Sequence, residues 1–131
     1  MTMNRTVPVL THAFVGWALC GATMSVGMAM TSLPRALLIH AFAAPIIFSA
    51  VSLSNFSRPS ALSPLLGAIV FVGFVITVDF FVVALAINRS LEIFMSVLGT
   101  WLPFALIFAS TYFTGLTRQR RDYRSNSDGA T

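Results

Sequence analysis

The sequence predicts an all-α membrane protein: a bundle of four transmembrane helices joined by short loops, with both termini in the cytoplasm. Three observations predict it. Of the residues, 56% are hydrophobic and only 9% charged, and the mean hydropathy is +0.84, whereas a soluble domain carries about a quarter charged residues. The apolar residues fall in long blocks and not in short runs, which is the pattern of membrane spans. All 8 basic residues are Arg, and they sit mostly outside those blocks.

Helix 1 is expected over Pro8–Met30, helix 2 over Pro34–Asn55, helix 3 over Pro64–Ile87 and helix 4 over Ser90–Gly115. Each span of roughly 22 to 26 residues is long enough for a hydrocarbon core of about 30 Å. Pro8, Pro34 and Pro64 stand where a first-turn proline is tolerated, because its missing N–H has no helical partner there. Thr31 to Leu33 and Asn88 to Arg89 make tight connections, and Phe56 to Ser63, with Arg58 and Pro59, makes a longer one. Ser90 can cap helix 4, and Glu92 suits the positive end of its dipole.

Charge sets the orientation. Arg5, Arg58, Arg118, Arg120, Arg121 and Arg124 share one side, against Arg35 and Arg89 on the other, so the first side is cytoplasmic by the positive-inside rule. The expected location is a prokaryotic cytoplasmic membrane. Residues 1–117 form the membrane domain and 118–131 a basic, disordered cytoplasmic tail whose end lacks apolar side chains. Arg118, Arg120, Arg121 and Arg124 serve as a topology anchor or contact lipid headgroups. The pI near 10.7 reflects this asymmetry and not a groove for nucleic acid. Cys20 is the only cysteine, which excludes an intrachain disulfide and a multi-thiolate metal site.

Helix packing in lipid depends on close backbone approach. His12, Gly16, Cys20, Thr23 and Gly27 make one stripe on helix 1, and Gly99 and Pro103 belong to a broad small-residue face on helix 4. These faces pack against protein or line a wet path. The openings Leu10-Thr11-His12-Ala13-Phe14 and Leu38-Ile39-His40-Ala41-Phe42 match, which suggests an inverted repeat.

Asp79 is the only acid deep within a span, roughly 12 Å from the outer end of helix 3. A charge there costs at least about 2.5 kcal/mol unless paired, protonated or beside water. Depth counting brings His40, Thr23 and Thr100 to nearly the same level, one polar residue per helix. Asp79 and His40 have the chemistry of a proton relay, and equally of a hydrogen-bonded clamp between helices. His12, near the cytoplasmic end, suits an interfacial place, and its depth keeps it from sharing a haem iron with His40. Pro45 and Pro103 kink their helices or free carbonyls toward the polar layer. Trp17 and Trp101 read as packing or lipid contact.

In length and span count the chain is similar to the small multidrug resistance transporters. Those carry their essential carboxylate on the first helix, whereas helix 1 here has no acid, so their activity is not carried over. The sequence holds no nucleophile with its base, metal-ligand set or phosphate loop, and implies no enzyme and no cofactor. The leading expectation is a transporter or channel subunit acting on protons, ions or small solutes. It works as a homo-oligomer or with partner membrane subunits in the lipid bilayer. The alternative is an accessory or anchoring subunit of a larger membrane complex.

Overall fold

A computed structural model describes residues 3–58, 62–87 and 95–130. Four helices build it. α1 runs Met3–Met30 and α2 Leu33–Phe56; α3 runs Pro64–Val78 and continues as a π-helix over Asp79–Ile87. A π-helical turn, Val97–Trp101, then leads into α4, Leu102–Gly129. The ends follow local chemistry. Pro34 lies in the first turn of α2, and Ser63 caps α3 by accepting the Leu66 N–H at 3.4 Å just before Pro64.

Three boundaries differ from expectation. α1 starts at Met3, so Pro8 sits inside the helix instead of opening it, and its carbonyl takes the His12 Nδ1. Pro103 does not kink the middle of a helix. It lies in the first turn of α4, after the wider π turn, where its missing N–H costs little. The Ser90 start of helix 4, Glu92 and the Asn88–Arg89 connection lie outside the described residues. The tail read as disordered is helical to Gly129, because neither Pro nor Gly interrupts residues 116–128 and Arg118 faces Asp122 one turn on.

The helices form a ring in the order α1, α2, α4, α3. Ser52 bonds Thr111, and Gly115 lies against Phe56, so α2 and α4 run parallel. α1 and α2 run antiparallel, with Gly16 against Phe48 and Gly27 against Ala36. Arg5, Arg58 and Arg118 therefore share one end of the bundle, called here the arginine end. A dry centre joins the diagonals: Phe48 and Phe71 meet edge to face at 6.0 Å, with Ala13, Ala44 and Ile107 buried around them.

The exterior is as apolar as the interior. Phe42, Ile46, Phe81 and Phe113 are each more than 60% exposed, which a water-soluble bundle would not tolerate over such an area. Arg5–Met30, Leu33–Phe56 and Pro64–Ala86 are long and apolar enough to cross a membrane. α4 is not among them, because its apolar part ends at Leu116, before Arg118. The chain is an integral membrane protein.

Candidate functional site

Asp79 opens the π-helical part of the third helix and is half-buried. Its Oδ1 accepts a hydrogen bond of 2.8 Å from the indole Nε1 of Trp17 on α1. Oδ2 accepts none among the described residues. Trp17 leans on Phe14, with ring centroids 5.8 Å apart, and Cys20, one turn further along α1, is buried on the same face. The carboxylate is thus held at the α1–α3 seam by one neutral donor, at the point where the i→i+5 pattern of a π-helix replaces that of the α-helix.

The residues expected beside it are distributed differently. His40 is half-buried on α2 and makes no hydrogen bond among the described residues. Helices α2 and α3 occupy opposite corners of the ring, and no direct Asp79–His40 hydrogen bond is formed; the side-chain partner of Asp79 is Trp17. Thr23 Oγ1 donates to the Leu19 carbonyl of its own helix at 2.9 Å. With Leu19, Ala22, Val26, Gly27 and Ile39 it lines an open apolar groove of about 580 Å³. Thr100 is buried in the π turn before α4, where its N–H donates to the Ser96 carbonyl at 3.1 Å.

A second polar level lies toward the arginine end. Ser52 Oγ donates to Thr111 Oγ1 at 3.2 Å with both side chains fully buried, tying α2 to α4. His12 Nδ1 lies 2.6 Å from the Pro8 carbonyl and Nε2 3.2 Å from Ser54 Oγ. A carbonyl only accepts, so Nδ1 donates to Pro8, and Nε2 and the Ser54 hydroxyl share a hydrogen bond. Phe48, Phe71 and Ile107 stand between this level and Asp79.

The small residues mark close approaches. A Cβ at Gly16 would stand 2.8 Å from the Phe48 ring, and one at Gly27 3.2 Å from Ala36 Cβ. At Gly99 it would meet Ser96 Oγ at 2.9 Å and Leu37 Cδ2 at 3.3 Å. Pro103 is buried in the α4 interface. Arg120, Arg121 and Arg124 are exposed, and Arg118 Nε faces Asp122 Oδ1 at 3.8 Å.

Trp17 is the hydrogen-bond partner of Asp79 that sequence reasoning missed. Its signal was the indole N–H, a donor that must find an acceptor when it is buried at membrane depth. Among the described residues no three His, Cys, Asp or Glu side chains are grouped to hold a metal ion. No family model, curated protein or solved structure matches the chain.

Proposed function

We propose that the protein is a small transporter or channel subunit that works as a homo-oligomer, with Asp79 as its proton or cation site. The observation that carries this reading is a carboxylate inside an apolar span that has one neutral hydrogen-bond donor. A net contribution of roughly 1.5–3 kcal/mol from one charge-assisted bond only about matches the insertion cost of the charge. The group is therefore poised to take a proton or a cation on Oδ2 and to give it up when water reaches it. In this reading α4 is a fourth crossing and both termini lie in the cytoplasm, in accord with the Arg asymmetry. Copies of the chain supply the path, because the centre of one bundle is filled by Phe48 and Phe71.

The same filled centre favours a rival, an accessory subunit in which the Trp17–Asp79 bond only joins helices. Reconstitution separates the two. Vesicles holding the purified protein alone should exchange protons or cations in a pH-dependent way, and Asp79→Asn should abolish this while leaving yield and oligomer size unchanged. Tight vesicles with the wild-type protein would leave the accessory reading.

A further inference from the structure

The α2–α4 seam ends in two hydrogen-bond donors without acceptors. Asn55, in the last turn of α2, is 1% exposed, and its buried Nδ2 meets no acceptor among the described residues. The same holds for the buried Nε of Arg118 on α4. Its facing carboxylate, Asp122 Oδ1 at 3.8 Å, is beyond hydrogen-bond reach. Buried donors are paired in about nine cases of ten, so two at one place point to something that accepts from both.

The register of α2 against α4 brings the two donors toward one level. The Ser52–Thr111 and Phe56–Gly115 contacts bracket Asn55 and set it level with Thr114. Arg118 lies one turn beyond, about 6 Å along the axis. Helical side chains lean toward the helix N-terminus, which carries the guanidinium back toward the Asn55 level. Pro64 packs at the same place, since a Cβ on Gly115 would stand 2.8 Å from Pro64 Cβ. The N-terminus of α3 therefore faces this corner with its positive dipole end; Pro64 has no N–H and the Leu66 and Gly67 N–H groups are taken by Ser63, which leaves the Leu65 N–H.

The opposing negative end of α2 is blunted. Ser57 N and Oγ both donate to the Leu53 carbonyl, at 3.1 and 2.6 Å, and Arg58 N donates to the Asn55 carbonyl at 3.3 Å. Two side-chain donors, one of them cationic, and a helix N-terminus at the edge of the apolar region match a phosphoryl oxygen.

We propose that this corner binds a phosphoryl oxyanion through Arg118 Nε, Asn55 Nδ2 and the N-terminus of α3, supplied by an anionic lipid headgroup or by free phosphate. The site is independent of Asp79 and holds under either reading of the function. The test is the melting temperature of the full chain in neutral detergent, with phosphatidylglycerol, phosphatidylcholine or inorganic phosphate added. Phosphatidylglycerol should raise it by several degrees more than phosphatidylcholine does. An equal rise with millimolar inorganic phosphate identifies the free ion as the source, and no rise with phosphate identifies the headgroup. Arg118→Gln and Asn55→Leu should each lose at least half of the shift, whereas Arg124→Gln, further along the exposed end of α4, should keep it. Should Asn55→Leu fail to fold, the contrast of Arg118→Gln with Arg124→Gln decides alone. Equal loss in both Arg variants would mean diffuse attraction to a basic helix and overturn the site, as would a wild type that responds to neither phosphatidylglycerol nor phosphate.

Discussion

Trp17 Nε1 donates to Asp79 Oδ1 at 2.8 Å and so joins the parallel helices α1 and α3. An indole N–H only donates, and a carboxyl group offers an acceptor oxygen whether ionised or protonated. The bond therefore survives a change of protonation at Asp79. Trp17 holds the carboxyl group in place whichever form it takes, and under the proposed proton or cation role Oδ2 would be the exchanging atom.

Trp17→Phe keeps an aromatic side chain and removes the donor. The expected loss of stability is about 1 kcal/mol with the carboxyl protonated and roughly 1.5–3 kcal/mol with it ionised. Paired with Asp79→Leu in a double-mutant cycle read by unfolding in detergent, the coupling should be of the same size. A coupling indistinguishable from zero would mean that the bond contributes nothing to the α1–α3 contact.

The Ser52–Thr111 bond predicts a sign change. Thr111→Val alone strands the buried Ser52 hydroxyl and should cost about 1–2 kcal/mol, whereas adding Ser52→Ala should restore part of the loss, because two apolar partners need no hydrogen bond. Additive losses in the double variant would show that the two hydroxyls are not partners.

The first three spans were legible because hydropathy and punctuation agree: Ser63 and Pro64 open α3, and Pro34 opens α2, where the sequence places them. Lateral placement was not. Periodicity sets which face of a helix is small or polar, but not which helix stands across from it. The side-chain hydrogen bond of Asp79 goes to Trp17 across the α1–α3 seam and not to His40. The end of α4 was misread for another reason. A polar composition suggests disorder, yet once a helix is nucleated by packing at Ile107 and Thr111, extension needs only the absence of a breaker. Nothing in the residues of Asp79–Ile87 marks the change from α- to π-helix.

Two glycines of α1 make a controlled pair. A Cβ at Gly16 would stand 2.8 Å from the Phe48 ring, whereas one at Gly21 meets nothing within 4 Å. Gly16→Leu should therefore force Phe48 away from Phe71 and cost about 1–3 kcal/mol, the usual range for overpacking. Gly21→Leu should be neutral or stabilising, since helix propensity improves at an open position. Equal melting temperatures for the two variants would remove the α1–α2 contact at Gly16.

The number of crossings decides where the chain ends. With Arg5–Met30, Leu33–Phe56 and Pro64–Ala86 as the only crossings, the two termini would lie on opposite sides of the membrane. A fourth crossing by residues 97–116 returns the chain to the side of Arg5, which also places Arg58, Arg118, Arg120, Arg121 and Arg124 together. Tight packing of α4 against both α2 and α3, through Thr111 and Gly115, favours the return, since a helix left outside the bilayer could not bond Ser52 from within it. Reporter domains fused after Gly129 and between residues 57 and 63 should both be active in the cytoplasm, and one inserted at Thr31–Ser32 should be active outside. A reporter after Gly129 that is active outside, with the 57–63 fusion still cytoplasmic, would establish three crossings and detach the α4 contacts from the membrane-embedded state.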